Sequence, residues 1–247
     1  MATDPKNYRD RLYQNYATLV MRTPDTFDAA TADRWGKAYD YYLRHWLPPR
    51  KDAAVLDVAC GAGKLLHFFK RRGYPNLTGV DLSPEQVALA RQVIPGIVQG
   101  DVLPFLEARP DHFDLITGLD IIEHLEKPVV LHFLEACFRA LRPGGRLILE
   151  TVNADTPFAL PILYGDFTHE SCFTPQTVVA LLRMTGFSAI EVRETGPVPY
   201  GYSLKSSLRY LVWRVLRAGI LLANTAETGN TGSGVFTRVM ISSALKP

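Results

Sequence analysis

The sequence predicts an α/β fold, a mostly parallel sheet with helices on both faces. Apolar, β-branched runs recur at about residues 53–59, 77–82, 97–101, 113–119 and 145–152. Segments of helical periodicity near 63–72, 84–94 and 128–141 stand between them, and the connections are short. Parallel neighbours need a crossover, and a crossover helix must bury its apolar stripe on the sheet. Such sheets bind ligands outside the carboxyl ends of their strands. This chain gathers glycines and acids at those ends.

The elements follow in order. Residues 7–47 carry many aromatics, among them Tyr8, Tyr13, Tyr16, Phe27, Trp35, Tyr39, Tyr41, Tyr42 and Trp46. Apolar spacing is helical from Arg34 to Leu47, and Pro48-Pro49 stops it. This stretch reads either as helices packed on the sheet edge or as a lid. The first strand enters Val55-Leu56-Asp57-Val58-Ala59-Cys60-Gly61-Ala62-Gly63-Lys64, an apolar run with an acid near its end, then a small-residue turn and a helix start. Asp81 ends the second run, eighteen residues after Gly63. Ser83 is an N-cap, Pro84 suits the first helical position, and Glu85 favours the positive helix end. Gly100-Asp101-Val102 follows the third strand, and Asp120-Ile121-Ile122-Glu123-His124 the fourth. Leu141-Arg142-Pro143-Gly144-Gly145 turns into the fifth.

A helix near 175–185 and strands at about 188–194 and 236–246 complete a count of seven strands. An insertion at residues 196–235 separates the last two. Its first part, 204–223, is apolar and punctuated by Arg209, Arg214 and Arg217, which do not share one helix face. Its second, Asn224 to Gly234, is rich in Gly, Thr and Asn and reads as a loop. A membrane-surface helix gathers its cations on one face. The scatter therefore favours a lid or a homodimer element over peripheral membrane contact.

At 247 residues, 47% apolar and 21% charged, the chain suits one soluble domain with a sizeable core. A net charge of +2 gives no basic stripe for nucleic acid. Cys60, Cys137 and Cys172 lack metal-ligand spacing, and three is an odd number, so a reducing compartment is expected. The polar start has no apolar core of a signal peptide, and no apolar run is long enough to span a bilayer. A cytoplasmic location follows as an expectation.

The paired glycines let backbone approach a ligand closely, and Asp81 is placed to hold two ribose hydroxyls. Leu66 stands where the dinucleotide fingerprint needs its third glycine, and Lys64 follows no Walker spacing. That pattern suits an adenosine without a pyrophosphate, and S-adenosylmethionine fits best. Together with Phe113-Asp114-Leu115-Ile116, these motifs resemble, in order over residues 53–153, the class I S-adenosylmethionine-dependent methyltransferases. The resemblance implies a Rossmann-like seven-stranded sheet with an antiparallel last edge, a helical N-terminal extension and a helical insertion before the last strand. It implies one domain, with a lid at 1–50, a cofactor core at 51–153 and an acceptor-side region at 154–247. Cofactor contacts would come from Asp57, Ala59, Gly61, Gly63, Asp81, Leu82, Asp101, Val102 and Leu119. Asp81 would meet the ribose, Asp101 and Val102 the adenine, and Leu119 the methionine part.

The pattern Asp120-x-x-Glu123-His124, followed by His169 within Gly165-Asp166-Phe167-Thr168-His169-Glu170, resembles two O-methyltransferase groups. These are the ubiquinone-biosynthesis enzymes and the small-RNA 3′-terminal 2′-O-methyltransferases. The resemblance implies a divalent ion, Mg²⁺ or another, held by Asp120, Glu123, His124 and His169. Aspartate at 120 replaces the usual glutamate and is one methylene shorter. His169 and His124 would then be the catalytic pair, because an alkyl hydroxyl needs help to lose its proton at neutral pH. The bland alternative is a Glu-His pair that caps a turn. His45, His67, His112 and His132 read as surface or packing histidines. The segments Thr168-His169 to Phe173-Thr174-Pro175, Thr185-Gly186-Phe187 and Tyr200-Gly201 to Arg217 resemble bacterial polysaccharide-associated methyltransferases. That implies a sugar hydroxyl in a glycan or nucleotide-sugar as acceptor. The alternatives are a phenol or catechol, or a binding module that holds the cofactor without turnover.

Overall fold

Val55–Val58 forms β1, and every residue of it is buried, as a strand covered on both faces must be. In the computed structural model, which describes Leu12 and residues 26–247, β1 lies near the middle of one seven-stranded sheet. Tyr8, Tyr13 and Tyr16 lie outside the described residues, as does about half of the expected lid. The strands are β2 (Leu77–Asp81), β3 (Ile97–Gln99), β4 (Phe113–Leu119), β5 (Leu141–Val152), β6 (Ser188–Glu194) and β7 (Val239–Leu245). Their spatial order is β3-β2-β1-β4-β5-β7-β6. The first five run parallel, and β7 lies antiparallel between β5 and β6, the edge expected from the sequence.

Alternate residues of each strand serve opposite faces. Leu56, Ile116, Leu147 and Leu149 pack with Phe133 and Leu134 of α5 (Lys127–Ala140). Val55, Leu115 and Ile148 pack with Phe68 and Phe69 of α2 (Lys64–Arg71) and Tyr39 of α1 (Ala29–Tyr42). The remaining helices are α3 (Pro84–Ala90), α4 (Val102–Glu107), α6 (Leu160–Leu163), α7 (Pro175–Met184) and α8 (Leu204–Thr228).

Leu66 in the third-glycine position is compensated across the sheet. A Cβ on Gly79 of β2 would meet the side chains of Leu66 and Ile97 at 2.7 Å. The close helix–strand approach comes from a strand glycine instead of a helix glycine.

Three expectations need correction. Helix α1 ends at Tyr42, not Leu47, because the Leu43 N–H closes the last turn on the Tyr39 carbonyl and His45 turns the chain at φ 69°. Helices α4 and α6 are short segments that periodicity did not mark. The helix of the insertion also runs past Ala223 to Thr228. Thr225 and Thr228 donate their hydroxyls to the carbonyls of Leu221 and Asn224, so the polar stretch continues the helix until Gly229 caps it at φ 72°.

Candidate active site

The carboxyl edge of the sheet collects the expected cofactor residues. Gly63 caps α2 from a left-handed conformation, φ 82°, and leaves the first N–H groups of that helix facing the edge. Asp81 organises the same turn. Its Oδ2 accepts from the Gly61 N–H and its Oδ1 from the Ser83 N–H, both at 2.8 Å. Burial pushes its carboxyl up, and these backbone donors oppose the rise. Each oxygen keeps a second acceptor direction, the capacity a ribose diol requires. Asp101 caps α4 through the Leu103 N–H at 2.9 Å. It stands exposed with Leu82, while Val102 and Leu119 are half-buried. Asp57 is buried beneath this edge, its Oδ1 accepting from the Thr117 hydroxyl at 2.7 Å. Burial raises its carboxyl to about 7. Asp57 therefore acts from below, on the strand that carries the turn. Ala59 adopts φ 51°, a left-handed position that favours glycine.

The loops after β4 and α6 pack against each other beside this edge. Asp120, at φ 53°, ends β4 and donates its N–H to the Glu150 carbonyl. It is solvent-exposed in a recess crowded by protein. That crowding raises its carboxyl to about 6, and the nearby His169 holds it down. Glu123 is fully buried, accepts from the Thr151 hydroxyl at 2.9 Å, and is raised to about 8 by burial and then by Asp120. Its Oε1 is buried without a hydrogen-bond partner. The carbonyl of Glu123 accepts from the N–H groups of Glu170 and Ser171, which ties the two loops together.

The histidines meet here. The rings of His124 and His169 lie 4.8 Å apart. His169 Nδ1 faces the Leu163 carbonyl at 3.1 Å. A carbonyl only accepts, so Nδ1 carries the proton and Nε2 the lone pair. The Thr168 hydroxyl lies 2.6 Å from Asp166 and 2.7 Å from His124 Nδ1. The carboxylate takes the one hydroxyl proton, so His124 donates from Nδ1 and its lone pair also falls on Nε2. Ligand atoms of His124, Asp166 and His169 lie within 4.8 Å of one another, close enough to share a cation.

Of the four expected metal ligands, His124 and His169 thus belong to that group. Asp120 and Glu123 fall outside it, Asp120 feeling the charge of His169 and Glu123 that of Asp120, and the carboxylate of the group is Asp166, which sequence reasoning missed. Glu150 was also missed. It is buried, accepts from the Tyr39 hydroxyl at 2.8 Å, and its carboxyl is held far above the usual range by burial and by Asp120. A charged residue inside the apolar run Leu147–Val152 was the available signal. His67 and His132 pair with Asp33 and Glu107 on the surface, as expected of ordinary histidines.

A mostly parallel sheet with a left-handed glycine turn after β1 and an acid at the end of β2 is the architecture of class I S-adenosylmethionine-dependent methyltransferases. The chain belongs to the methyltransferase-domain family, whose model matches residues 27–192. It is 28% identical over 235 residues to a ubiquinone biosynthesis O-methyltransferase of Xylella fastidiosa, covering 83% of this chain and 87% of that protein. A S-adenosylmethionine-dependent methyltransferase from Archaeoglobus fulgidus superposes with TM-score 0.63 at 17% identity, covering 98% of this chain and all of that one. One from Mesorhizobium loti does so with TM-score 0.61 at 21% identity, covering 86% of this chain and 99% of that one.

Proposed function

We propose that this enzyme transfers the methyl group of S-adenosylmethionine to a hydroxyl oxygen of a small-molecule acceptor. The observation that carries this reading is the pair His124 and His169, both with Nε2 lone pairs, beside the cofactor edge at the end of β4. The acceptor O–CH₃ bond forms as the S–CH₃ bond breaks. The hydroxyl proton passes to Nε2 of His169, and S-adenosylhomocysteine leaves. Leu163 holds His169 in the competent tautomer, and the negative Asp120 stabilises the imidazolium.

A phenol or catechol is the acceptor this reading favours, because the Xylella fastidiosa relative is named for ubiquinone biosynthesis over most of both chains. The sugar hydroxyl expected from the C-terminal resemblance has no counterpart among the relatives named above. His124 and the Asp166 carboxylate fit a divalent ion, which leaves the Nε2 lone pair of His169 to take the proton. When bound, such an ion orients the acceptor and lowers its hydroxyl pKa.

The test is methyl transfer from labelled cofactor to catechols, nucleotide-sugars and lipid-linked glycans, with and without chelator. His169→Ala should lower kcat by about 10²–10⁴ while leaving the cofactor Kd unchanged. Turnover of none of these acceptors by a protein that binds the cofactor would overturn the reading in favour of a non-catalytic binding module.

A further inference from the structure

Helix α8 spans 25 residues, about 37 Å of helix, yet only Ser206 of it is buried. Its contacts with the body lie along one line. The Ser206 hydroxyl donates to the Val198 carbonyl, Trp213 Nε1 donates to Glu194, and Arg217 pairs with Glu194 and donates to the Gly234 carbonyl. The opposite line is Leu204, Leu208, Leu211, Val215 and Leu222, between 62% and 88% exposed. Their spacing of three, four and seven keeps them on one side of the helix. A continuous apolar stripe of this length, uncovered by the other described residues, marks a docking surface.

The charges decide what docks. Arg217 is turned to the body, so it no longer counts among the scattered cations. At 100° per residue, Lys205 and Arg209 fall on one flank of the stripe and Arg214 on the other. The acidic residue of the helix is Glu227, at its far end. Cations on both flanks of an apolar face are the arrangement that lets long side chains reach phosphates while the stripe sinks among acyl chains. Tyr200 and Tyr202, exposed just before the helix, suit the headgroup level of a bilayer. No described helix is long and apolar enough to cross a membrane, so the contact is lateral.

We propose that α8 lies flat on an anionic lipid surface, its leucine stripe inserted and Lys205, Arg209 and Arg214 on the phosphates. This goes beyond the methyl-transfer reading and does not depend on it. The experiment is vesicle co-sedimentation of the full chain, with phosphatidylcholine alone and with added phosphatidylglycerol, plus light scattering for oligomeric state. The protein should partition to the anionic vesicles, and rising salt should release it. Arg209→Gln with Arg214→Gln should weaken partitioning about thirtyfold, about fivefold for each surface cation. Leu211→Ser with Val215→Ser should abolish it, with calorimetric S-adenosylmethionine binding unchanged as the check on folding. The arginine variants sit on the exposed surface, so they keep the test decisive if the serine variant misfolds. Equal affinity for both vesicle types, or no affinity for either, overturns the proposal. A dimer that Leu211→Ser with Val215→Ser converts to monomer, without vesicle binding, assigns the stripe to a second copy instead.

Discussion

Ala59 and Gly63 both adopt left-handed backbone, four residues apart in the same turn, at φ 51° and φ 82°. Alanine is strained there and glycine is not, so reciprocal substitutions should shift stability in opposite directions. Gly63→Ala brings a Cβ to 3.2 Å from the Ala90 Cα and 3.3 Å from its Cβ. The left-handed conformation costs a non-glycine residue about 1–2 kcal/mol, and overpacking adds about 1–3 kcal/mol. The Ala90 neighbour is backbone, which yields little, so the sum should be about 2–5 kcal/mol. For a chain of this size that lowers Tm by roughly 4–20 °C. Ala59→Gly relieves the same strain and loses part of the gain to the unfolded-state freedom of glycine, about 0.5–1 kcal/mol, which leaves a net gain of up to about 1.5 kcal/mol. Calorimetric melts of the two variants and the parent, without cofactor, measure both signs. A Gly63→Ala melt within 2 °C of the parent (less than about 1 kcal/mol) would refute the crowding argument. A lower Tm for Ala59→Gly would refute the strain argument.

Three further outcomes follow from the site. Asp81→Ala should weaken S-adenosylmethionine binding by about 2–3 kcal/mol, because the ribose acceptor is lost and the Gly61 turn loosens; calorimetry giving an unchanged Kd would remove Asp81 from the cofactor site. Chelation should abolish methyl transfer and leave cofactor binding intact, and full turnover in chelator would reject the metal and leave His169 to act alone. Asp57 is raised from an ordinary 3.8 to about 7, so between those values the native state binds more protons than the unfolded state. Stability should therefore fall as pH rises through that window, by up to about 1.4 kcal/mol per pH unit from this group. Asp57→Asn keeps an acceptor for Thr117 and should flatten that part of a Tm-against-pH curve; an unchanged slope would show that other groups set it.

The cofactor edge was legible because its chemistry is local. Gly61 and Gly63 occupy a turn, and Asp57 and Asp81 the strands that enter such turns, so residue type and spacing show the backbone's demands. The alternation of strands and helices was legible for the same reason, and the antiparallel last edge came from resemblance. The acceptor side assembles across the chain, from β4, β5, α1 and the loop after α6, so half of it escaped. His124 and His169 stood out as histidines beside acids. Asp166 was quoted only as a neighbour, since nothing in sequence shows that Thr168 would bridge it to His124. Glu150 hid inside an apolar strand, and its partner Tyr39 lies more than a hundred residues away. That Arg217 of α8 faces the body also escaped, since its partner Glu194 lies on another element.

The strand order has a consequence for synthesis. β7 is made after β6 yet lies between β6 and β5. Until Val239–Leu245 leaves the ribosome, the growing sheet ends on the open backbone of β5, and β6 has nothing to pair with. The 87 positions from Val152 to Val239 take roughly 4–17 s to translate at about 5–20 residues per second. Through that interval the nascent protein shows a long, apolar, unguarded strand, the kind of edge that recruits other chains. Its vulnerable moment is therefore birth, and holding factors at the exit tunnel should bind ribosomes stalled before Val239 far more than ribosomes stalled after the finished sheet has emerged.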